Sequence, residues 1–234
     1  MRFSDPRLKA LDQLYAVYDQ LTGGRPIACK QFCADCCTCN VTLTRFEATR
    51  IIAALDEKTK QAIREKLKKP RATPRFIPKI TINRLADICM RGGDPPEEEI
   101  DPAWGPCPLL ENNACPIYDV RPFGCRCMTS FQKCSDTGVA DIDDFTITVN
   151  HIFLQTIEHM DKNGYFGNLS DVLADMLADA SAGDLTGKPA APKINTGPNP
   201  PVLIRNSPLS TLLIPPEHRE KIQPILTALR AIKM

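Results

Sequence analysis

Four of the chain's eleven cysteines fall within nine residues, and this concentration of thiols limits what the segment can fold into. The segment reads Cys29-Lys-Gln-Phe-Cys33-Ala-Asp-Cys36-Cys37. If it is helical, with about 3.6 residues per turn, Cys29, Cys33 and Cys36 project from one face and Cys37 lies at its edge. Three thiolates could then meet at one centre, and there are few explanations for such a cluster other than a bound metal.

The composition indicates a protein that does not need disulfides to fold. A length of 234 residues is ample for a hydrophobic core, and the first residues contain no apolar signal segment. We therefore expect a cytoplasmic protein, in which thiols stay reduced and dense cysteines indicate metal binding or redox chemistry. The odd cysteine count and the adjacent Cys36-Cys37 pair also fit a disulfide framework poorly.

The charge balance argues against two classes of partner. The net charge of +1 and the isoelectric point near 7.5 give no global field to attract nucleic acid or a membrane surface. The sequence also contains no run of about 18 apolar residues, the length that a membrane-spanning helix requires. A metal is the partner we expect, together with a protein partner if the metal has only a structural role.

Apolar residues recur at helical spacing through most of the chain and predict a mainly α-helical fold with little or no β-sheet. One amphipathic helix follows Asp5-Pro6 and ends near Gly23. Thr44 and Glu47 have the spacing of a capping box that opens a helix through Leu55. Further helices are predicted over 56–69, 145–160, 169–180 and 216–232.

The composition changes after residue 180. Residues 181–201 are rich in Pro, Gly, Ala and Asn, as in a linker or an extended segment that wraps the surface. We therefore divide the chain into a cysteine-cluster metal-binding domain, 1–180, and a region of linker or wrap with a C-terminal helix, 181–234.

A second cysteine-rich segment covers residues 107–134 and shows little helical periodicity. It supplies Cys107, Cys115, Cys125, Cys127 and Cys134, with prolines directly after the first two. Irregular loops suit a metal cluster because their free N–H groups can hydrogen-bond to sulfur. We predict that the 29–37 segment and the 107–127 loop close over a common metal region.

Taken in order, the two cysteine segments resemble the YkgJ-type cysteine-cluster family, which is described as zinc- or iron-chelating. The matching features are Cys-x3-Cys-x2-Cys-Cys, a Thr-x-x-Glu helix start, Cys-Pro-Leu-Leu, Cys-x-Ile-Tyr, Arg-Pro and Cys-Arg, over roughly residues 25–130. The resemblance implies seven metal-site cysteines: Cys29, Cys33, Cys36, Cys37, Cys107, Cys115 and Cys125. It also implies that Tyr118, Arg121, Pro122 and Arg126 accompany the metal site.

Four cysteines are additional to this pattern: Cys39, Cys89, Cys127 and Cys134. Either Cys127 or Cys134 would bring seven thiols to eight, enough for two four-cysteine sites. We include Cys127 among the candidate metal ligands and leave the other three open. Arg121 and Arg126 have two interpretations, since they could offset thiolate charge beside the metal or pair with carboxylates such as Asp119.

The spacing favours an iron–sulfur centre, with zinc or mononuclear iron as the main alternative and reactive thiols without a metal as the third. A [4Fe-4S] cluster takes four thiolates, often three close in sequence and one distant, as Cys29, Cys33 and Cys36 plus a later cysteine would provide. Structural zinc usually takes paired Cys-x2-Cys hooks, and the chain has one, Cys33 to Cys36.

The Cys-x3-Cys-x2-Cys spacing also occurs in radical SAM enzymes. Those enzymes usually have an aromatic residue where this chain has Asp35, and the chain lacks the alternating strands and helices of their partial barrel. The spacing alone therefore favours a cysteine-ligated centre without assigning radical chemistry.

Two classes of function stay open. In the first, the centre is redox-active or catalytic and keeps an open coordination position. In the second, the metal is structural or stored, and the remaining surface binds a partner protein. No general base, oxyanion site or substrate pocket can be picked from the sequence, so we name no catalytic residue and leave enzymatic activity undecided.

Overall fold

The computed structural model describes residues 5–68, 74–180 and 203–233, and the side chains of residues 179 and 180 are not included in that description. The predicted linker over 181–201 therefore lies outside the described residues. Helices dominate the described chain, as predicted: α1 (Pro6–Thr22), α2 (Arg45–Ala54), α3 (Glu57–Leu67), α4 (Ile82–Met90), α5 (Phe123–Arg126), α6 (Cys134–Thr137), α7 (Asp144–Met160), α8 (Leu169–Ala180) and α9 (Gln223–Arg230). Among the described residues, no helix is both long enough and apolar enough to span a bilayer.

A small antiparallel sheet joins distant parts of the chain. Its three strands are β1 (Thr42–Thr44), β2 (Tyr165–Asn168) and β3 (Ile204–Arg205), in the order β1-β2-β3. The register pairs Thr42 with Asn168, so the residues directly after the first cysteine segment are held against the start of α8. The sheet is small enough to agree with the predicted mainly α fold.

Several helix starts follow the predicted local chemistry. The Asp5 carboxylate accepts a hydrogen bond from the Arg7 N–H, and Pro6 occupies the first turn of α1. At α2 the full capping box is present: the Thr44 side chain accepts from the Glu47 N–H while the Glu47 carboxylate accepts from the Thr44 N–H. Both predictions are confirmed, and they could be made from the sequence because these caps involve residues only two or three positions apart.

Two expectations were wrong. The 29–37 segment is not a helix but two successive turns, closed by hydrogen bonds from Cys33 N to Lys30 O (3.0 Å) and from Cys37 N to Ala34 O (2.9 Å). Phe32 adopts a left-handed conformation, with φ of 71°, which a right-handed helix excludes.

The last helix is also shorter than the predicted 216–232. A 3₁₀ turn at Pro216–His218 precedes α9, and Pro224 falls in the first turn of that helix. Proline is tolerated in the first turn of a helix but disrupts a helix interior, because it has no N–H to donate and its ring collides with the preceding turn. The helix therefore begins at Gln223.

The helices enclose two hydrophobic cores. The first contains side chains from α1, α5, α7 and α9, with Tyr18, Phe123 and Phe153 in ring contact at its centre. The second contains side chains from β1, α2, α3 and α8, together with Leu109 and Ile117 of the second cysteine segment. Because Leu109 and Ile117 are almost fully buried, the loop that carries Cys107 and Cys115 is anchored to the second core.

Candidate functional site

Seven cysteines from the two segments line one cavity of about 90 Å³. They are Cys29, Cys33, Cys36, Cys37, Cys107, Cys115 and Cys125. Four apolar side chains, Val41, Leu109, Ile117 and Leu169, also line it and belong to or pack against the second core. Phe32 and Met128 add exposed apolar side chains to the lining, 62% and 47% accessible. The cavity is therefore apolar on the side of the core and carries sulfur from both segments.

Backbone contacts hold the two cysteine segments side by side. The Cys107 N–H donates to the Cys37 carbonyl at 2.8 Å, and the Cys39 N–H donates to the Gly105 carbonyl at 3.0 Å. Between them Thr38 and Pro106 form an antiparallel bridge. This short ladder brings together thiols that lie some seventy residues apart in the sequence.

Two buried asparagines fix the end of the first segment. The Asn40 amide donates to the Asp101 carbonyl (2.9 Å) and accepts from the Phe76 N–H (3.0 Å). The Asn168 amide donates to the carbonyls of Cys39 (2.8 Å) and Phe76 (3.1 Å). Because these bonds satisfy backbone groups that would otherwise be buried without partners, they stabilise an irregular loop that has no secondary structure of its own.

Cys107 and Cys115 are each held by the same local motif. Each is followed by proline and begins a turn, in which the N–H three residues later donates to the cysteine carbonyl: Leu110 N to Cys107 O (3.1 Å) and Tyr118 N to Cys115 O (3.2 Å). Proline favours the second position of such a turn because its φ is already near the required value. The backbone N–H groups of Leu109 and Ile117, two residues after each cysteine, interact with its sulfur and act to lower the pKa of the thiol.

These hydrogen bonds act against a desolvation cost. Burial raises the pKa of the Cys107 thiol, and the N–H groups of Leu109 and Leu110 oppose that increase by stabilising the thiolate. Burial likewise raises the pKa of Cys115, and the Ile117 N–H opposes it. The Cys-Pro turns thus provide backbone N–H groups that stabilise buried thiolates, as expected for an irregular loop with free N–H groups.

Cys125 reaches the cavity through a close approach between α5 and β1. The carbonyl of Thr42 lies 3.0 Å from the position that a Cβ would occupy on Gly124, so a larger residue would separate the two elements. The Phe123 N–H at the start of α5 donates to the buried Glu47 carboxylate at 2.8 Å. Glu47 also accepts from the Tyr15 hydroxyl at 2.8 Å, so one carboxylate joins α1, α2 and α5 beneath Cys125.

The thiols influence one another electrostatically. A hydrogen bond from the Cys36 thiol to Cys37 lowers the pKa of Cys37 and, together with burial, raises the pKa of Cys36. Burial raises the pKa of Cys125 well above its usual value, and repulsion from Cys107 and Cys115 adds to the increase. Several thiolates in this cavity would therefore repel one another unless a cation lay among them.

Two cations lie beside Cys115. Arg121 and Lys66 both favour its thiolate form, against the effect of burial. The Arg121 guanidinium lies 4.0 Å from the centroid of the Tyr118 ring, and both side chains line the cavity. Arg121 and Tyr118 therefore lie beside the cavity thiols, and a metal-site role for them stays a prediction.

Arg126 points in another direction. Its guanidinium donates to the Asp19 carboxylate at 3.0 Å and lies over the Tyr15 ring, 4.9 Å from the centroid. It is not among the residues that line the cavity. The structure therefore places Arg126 in an ion pair with α1, which is the second of the two interpretations.

The four additional cysteines occupy four different environments. Cys127, which we included among the candidate ligands, is 6% exposed in the first core and is not part of the cavity lining. Its thiol donates to the Gly124 carbonyl at 3.7 Å. Cys39 is buried and donates to the Pro74 carbonyl, Cys89 is exposed on α4, and Cys134 is half-buried at the first position of α6.

The donor set fits a thiophilic metal. Thiolate sulfur is the ligand that zinc and iron–sulfur clusters prefer. In the described part of the chain, no three Cys, His, Asp or Glu side chains already converge on a point that one ion could occupy. The seven thiols instead line a cavity. Whether these thiols bind metal stays a prediction.

Several residues at or near the cavity could not be identified from the sequence. Lys66 does not line the cavity but acts electrostatically on Cys115 from α3, and nothing in its local sequence indicates that it lies there. Val41, Leu169 and Asn113 likewise reach the cavity only through the fold. Phe32 lies inside the first cysteine segment, and this position is the one feature of the sequence that could have identified it as a cavity-lining residue.

Comparison with known proteins supports the same region of the chain. The model of a family named CxxCxxCC and described as a "putative zinc- or iron-chelating domain" matches residues 28–147, just over half of the chain. All seven cavity cysteines fall within that range. No curated protein and no solved structure matches the chain significantly.

Proposed function

The chain belongs to the CxxCxxCC domain family, and we propose that it is a metal-binding protein whose cavity thiols hold an iron–sulfur centre, with [4Fe-4S] favoured. The observation that carries this proposal is the convergence of seven thiols from two distant segments on one cavity. In a reducing compartment such as the cytoplasm these thiols would stay available as metal ligands.

Two features favour a cluster over a single zinc ion. Backbone N–H groups donate to the sulfurs of Cys29, Cys107 and Cys115, an interaction that tunes iron–sulfur clusters. Arg121 and Lys66 bring positive charge beside Cys115, which would offset the negative charge of a thiolate-ligated cluster.

The chain's own residues divide the work around such a centre. The cysteines would hold it, Leu109 and Ile117 would exclude water on the core side, and the Cys-Pro turns would orient two of the sulfurs. When bound, an iron–sulfur cluster supplies one-electron transfer. Because Cys33 is exposed, the centre would be reachable from solvent, which favours a redox or catalytic role over a sealed structural one.

The test is anaerobic purification of the full chain, followed by analysis of metal, acid-labile sulfide and the visible spectrum. We expect a brown protein that absorbs broadly near ~400 nm and contains about four iron and four sulfide per centre. Stoichiometric zinc in a colourless protein would instead support the alternative, a zinc-binding or iron-chelating interaction module without enzymatic activity. Protein that retains no metal under reducing conditions would contradict both.

A further inference from the structure

The seven cavity thiols, together with Cys134 nearby, fall into two groups that are held by different backbone contacts. We define the inner group as Cys37, Cys107, Cys115 and Cys125, and the outer group as Cys29, Cys33, Cys36 and Cys134. We propose that the chain holds two metal centres rather than one, the first bound by the inner group and the second by the outer group, with Cys134 as its fourth thiolate. This inference rests on the proposed function, since it requires that the thiols bind metal.

The inner group is held by the ladder between the two cysteine segments. The hydrogen bond from Cys107 N to Cys37 O places these two residues side by side. Cys37 interacts electrostatically with Cys107, Cys115 and Cys125. Cys125 in turn interacts with Cys107 and Cys115, which also interact with each other, so the four thiols are mutual neighbours. Among the thiols that act on Cys125, Cys36 of the outer group has the smallest effect. The buried side chains of Leu109 and Ile117 form the wall behind them.

The outer group is held by a different contact, between residues 28–29 and the chain before α6. The Ala28 N–H donates to the Ser130 carbonyl at 2.9 Å, and the Ser130 N–H donates to the Cys29 sulfur. Cys134 follows Ser130 by four residues and begins α6. Cys29 interacts electrostatically with Cys33, Cys36 and Cys134, so it has three thiol neighbours of its own.

The number of thiols agrees with this division. Four thiolates complete a structural zinc site or an iron–sulfur cluster. The seven cavity thiols are one short of two complete sets, and Cys134 is the additional thiol beside Cys29. A single four-thiolate centre would leave three cavity thiols without a ligand role.

Cys127 is the competing candidate for the eighth ligand. It is close enough to Cys36 and Cys125 to interact with both electrostatically. Its side chain, however, is packed in the first core with Phe123 and Phe153, and its thiol donates to Gly124 O. Moving this sulfur to the cavity would leave a void in the core, whereas Cys134 is half-buried, outside both cores, and already interacts electrostatically with Cys29.

The two centres would be adjacent and would differ in accessibility. Cys36 and Cys37 are consecutive and hydrogen-bonded, yet they belong to different groups. Cys33 of the outer group is exposed, while the inner group lies against the second core. A chelator should therefore reach the outer metal first.

The experiment measures metal per chain in full-length protein prepared anaerobically, with matched serine variants. Cys107→Ser and Cys33→Ser should each lower the metal content by about half, and the double variant should remove nearly all of it. Cys134→Ser should retain the inner metal and lose the outer one at a lower chelator concentration. Cys89→Ser, at an exposed cysteine on α4, is the control and should retain the full content.

A second measurement follows the kinetics of metal release and takes its main result from the unmodified protein, whose folding no substitution disturbs. Metal release from the unmodified protein into excess chelator should follow two phases of equal amplitude, and Cys33→Ser should lack the fast phase. Metal equivalent to a single centre in the unmodified protein, or complete loss in both Cys33→Ser and Cys107→Ser, would overturn the division into two centres. Protein without any metal would instead overturn the proposed function.

The assignment of the fourth outer ligand has its own control. Cys127→Ala removes the competing sulfur and should leave the metal content unchanged. If Cys127→Ala lowers the content by half and Cys134→Ser does not, the eighth ligand is Cys127 and the assignment of Cys134 is wrong.

Discussion

Two arginines five residues apart have unrelated surroundings. Arg121 stacks on Tyr118 at the cavity and favours the thiolate of Cys115, whereas Arg126 is paired with Asp19 on α1. Spacing along an irregular loop does not determine the direction of a side chain. The two residues therefore form a matched pair for testing which positive charge acts on the centre.

Replacing Arg121 by alanine should lower the reduction potential of an iron–sulfur centre, because removal of a positive charge disfavours the more negative, reduced state. Metal retention against a chelator should also decrease. Arg126→Ala should leave the potential unchanged and affect only the free energy of unfolding. Redox titration monitored in the visible spectrum checks this, and an equal shift of the potential in both variants would contradict it.

The buried carboxyl of Asp161 should make the free energy of unfolding depend on pH. Burial raises the pKa of its carboxyl to about 7, although the Phe46 N–H and Arg7 act in the opposite direction. In the unfolded chain an aspartate titrates near ~4. Between these values the unfolded state loses its proton while the folded state keeps it, so the free energy of unfolding should fall as the pH rises from about 4 to about 7 and then level off.

The variant that checks this prediction is Asp161→Asn, which cannot ionise. Denaturant unfolding of both proteins across that pH range should show a shallower decline for the variant. Its side-chain oxygen can still accept from Asn206, which donates to Asp161 at 2.9 Å. If the free energy of unfolding changed with pH equally in the two proteins, ionisation of this carboxyl would not be the cause of the pH dependence.

At the scale of elements, short turns rather than helices place the sulfurs. A two-residue turn at Asn112-Asn113 connects the Cys107 loop to Cys115, and Glu111 and Ala114 exchange hydrogen bonds of 3.0 and 2.8 Å across it. Both asparagines have positive φ, 49° and 62°, as a type I′ turn requires. Asparagine adopts this conformation more readily than other residues with a side chain.

Replacing both asparagines of this turn by alanine should lower the free energy of unfolding by about 2 kcal/mol. Each alanine would have to adopt the left-handed conformation, which costs it roughly 1 kcal/mol more than it costs asparagine. The same change should reduce metal retention, because Cys115 follows the turn directly. The control is the double glycine variant, since glycine adopts positive φ without strain. Urea unfolding and metal analysis check both effects, and a glycine variant as unstable as the alanine variant would contradict the explanation.

At the scale of the whole molecule, the cavity lies where loops from the two cysteine segments meet the second core. Glu47 extends this connection to the first core through Tyr15 and Phe123. A metal bound by thiols from both segments would therefore crosslink regions of the chain that the backbone leaves far apart. Its binding free energy would contribute directly to folding.

Removal of the metal should consequently lower the thermal midpoint of unfolding. A chelator should shift the midpoint of the unmodified protein downward, because a ligand that binds only the folded state stabilises it by mass action. The same chelator should have a smaller effect on Cys107→Ser, which lacks an inner ligand. Thermal unfolding followed by circular dichroism checks this, and an unchanged midpoint after complete metal removal would mean that the fold does not depend on metal.

The sequence by itself determined the features that depend on neighbouring residues. The capping box at Thr44 and Glu47 and the extent of α1 and α8 follow from interactions between residues a few positions apart. The seven cysteines suggested by the family resemblance are the seven that line the cavity.

Only the tertiary structure decided which side chains face that cavity. Nothing local to Cys127 or Arg126 indicates that they point into the first core and toward α1, since their orientation depends on how α5 packs against α1 and α7. The approach of Lys66 to Cys115 and the pairing of Ala28 with Ser130 likewise depend on contacts across many tens of residues. Periodicity and spacing describe one segment at a time, whereas the position of a sulfur in space depends on every element that packs against its loop.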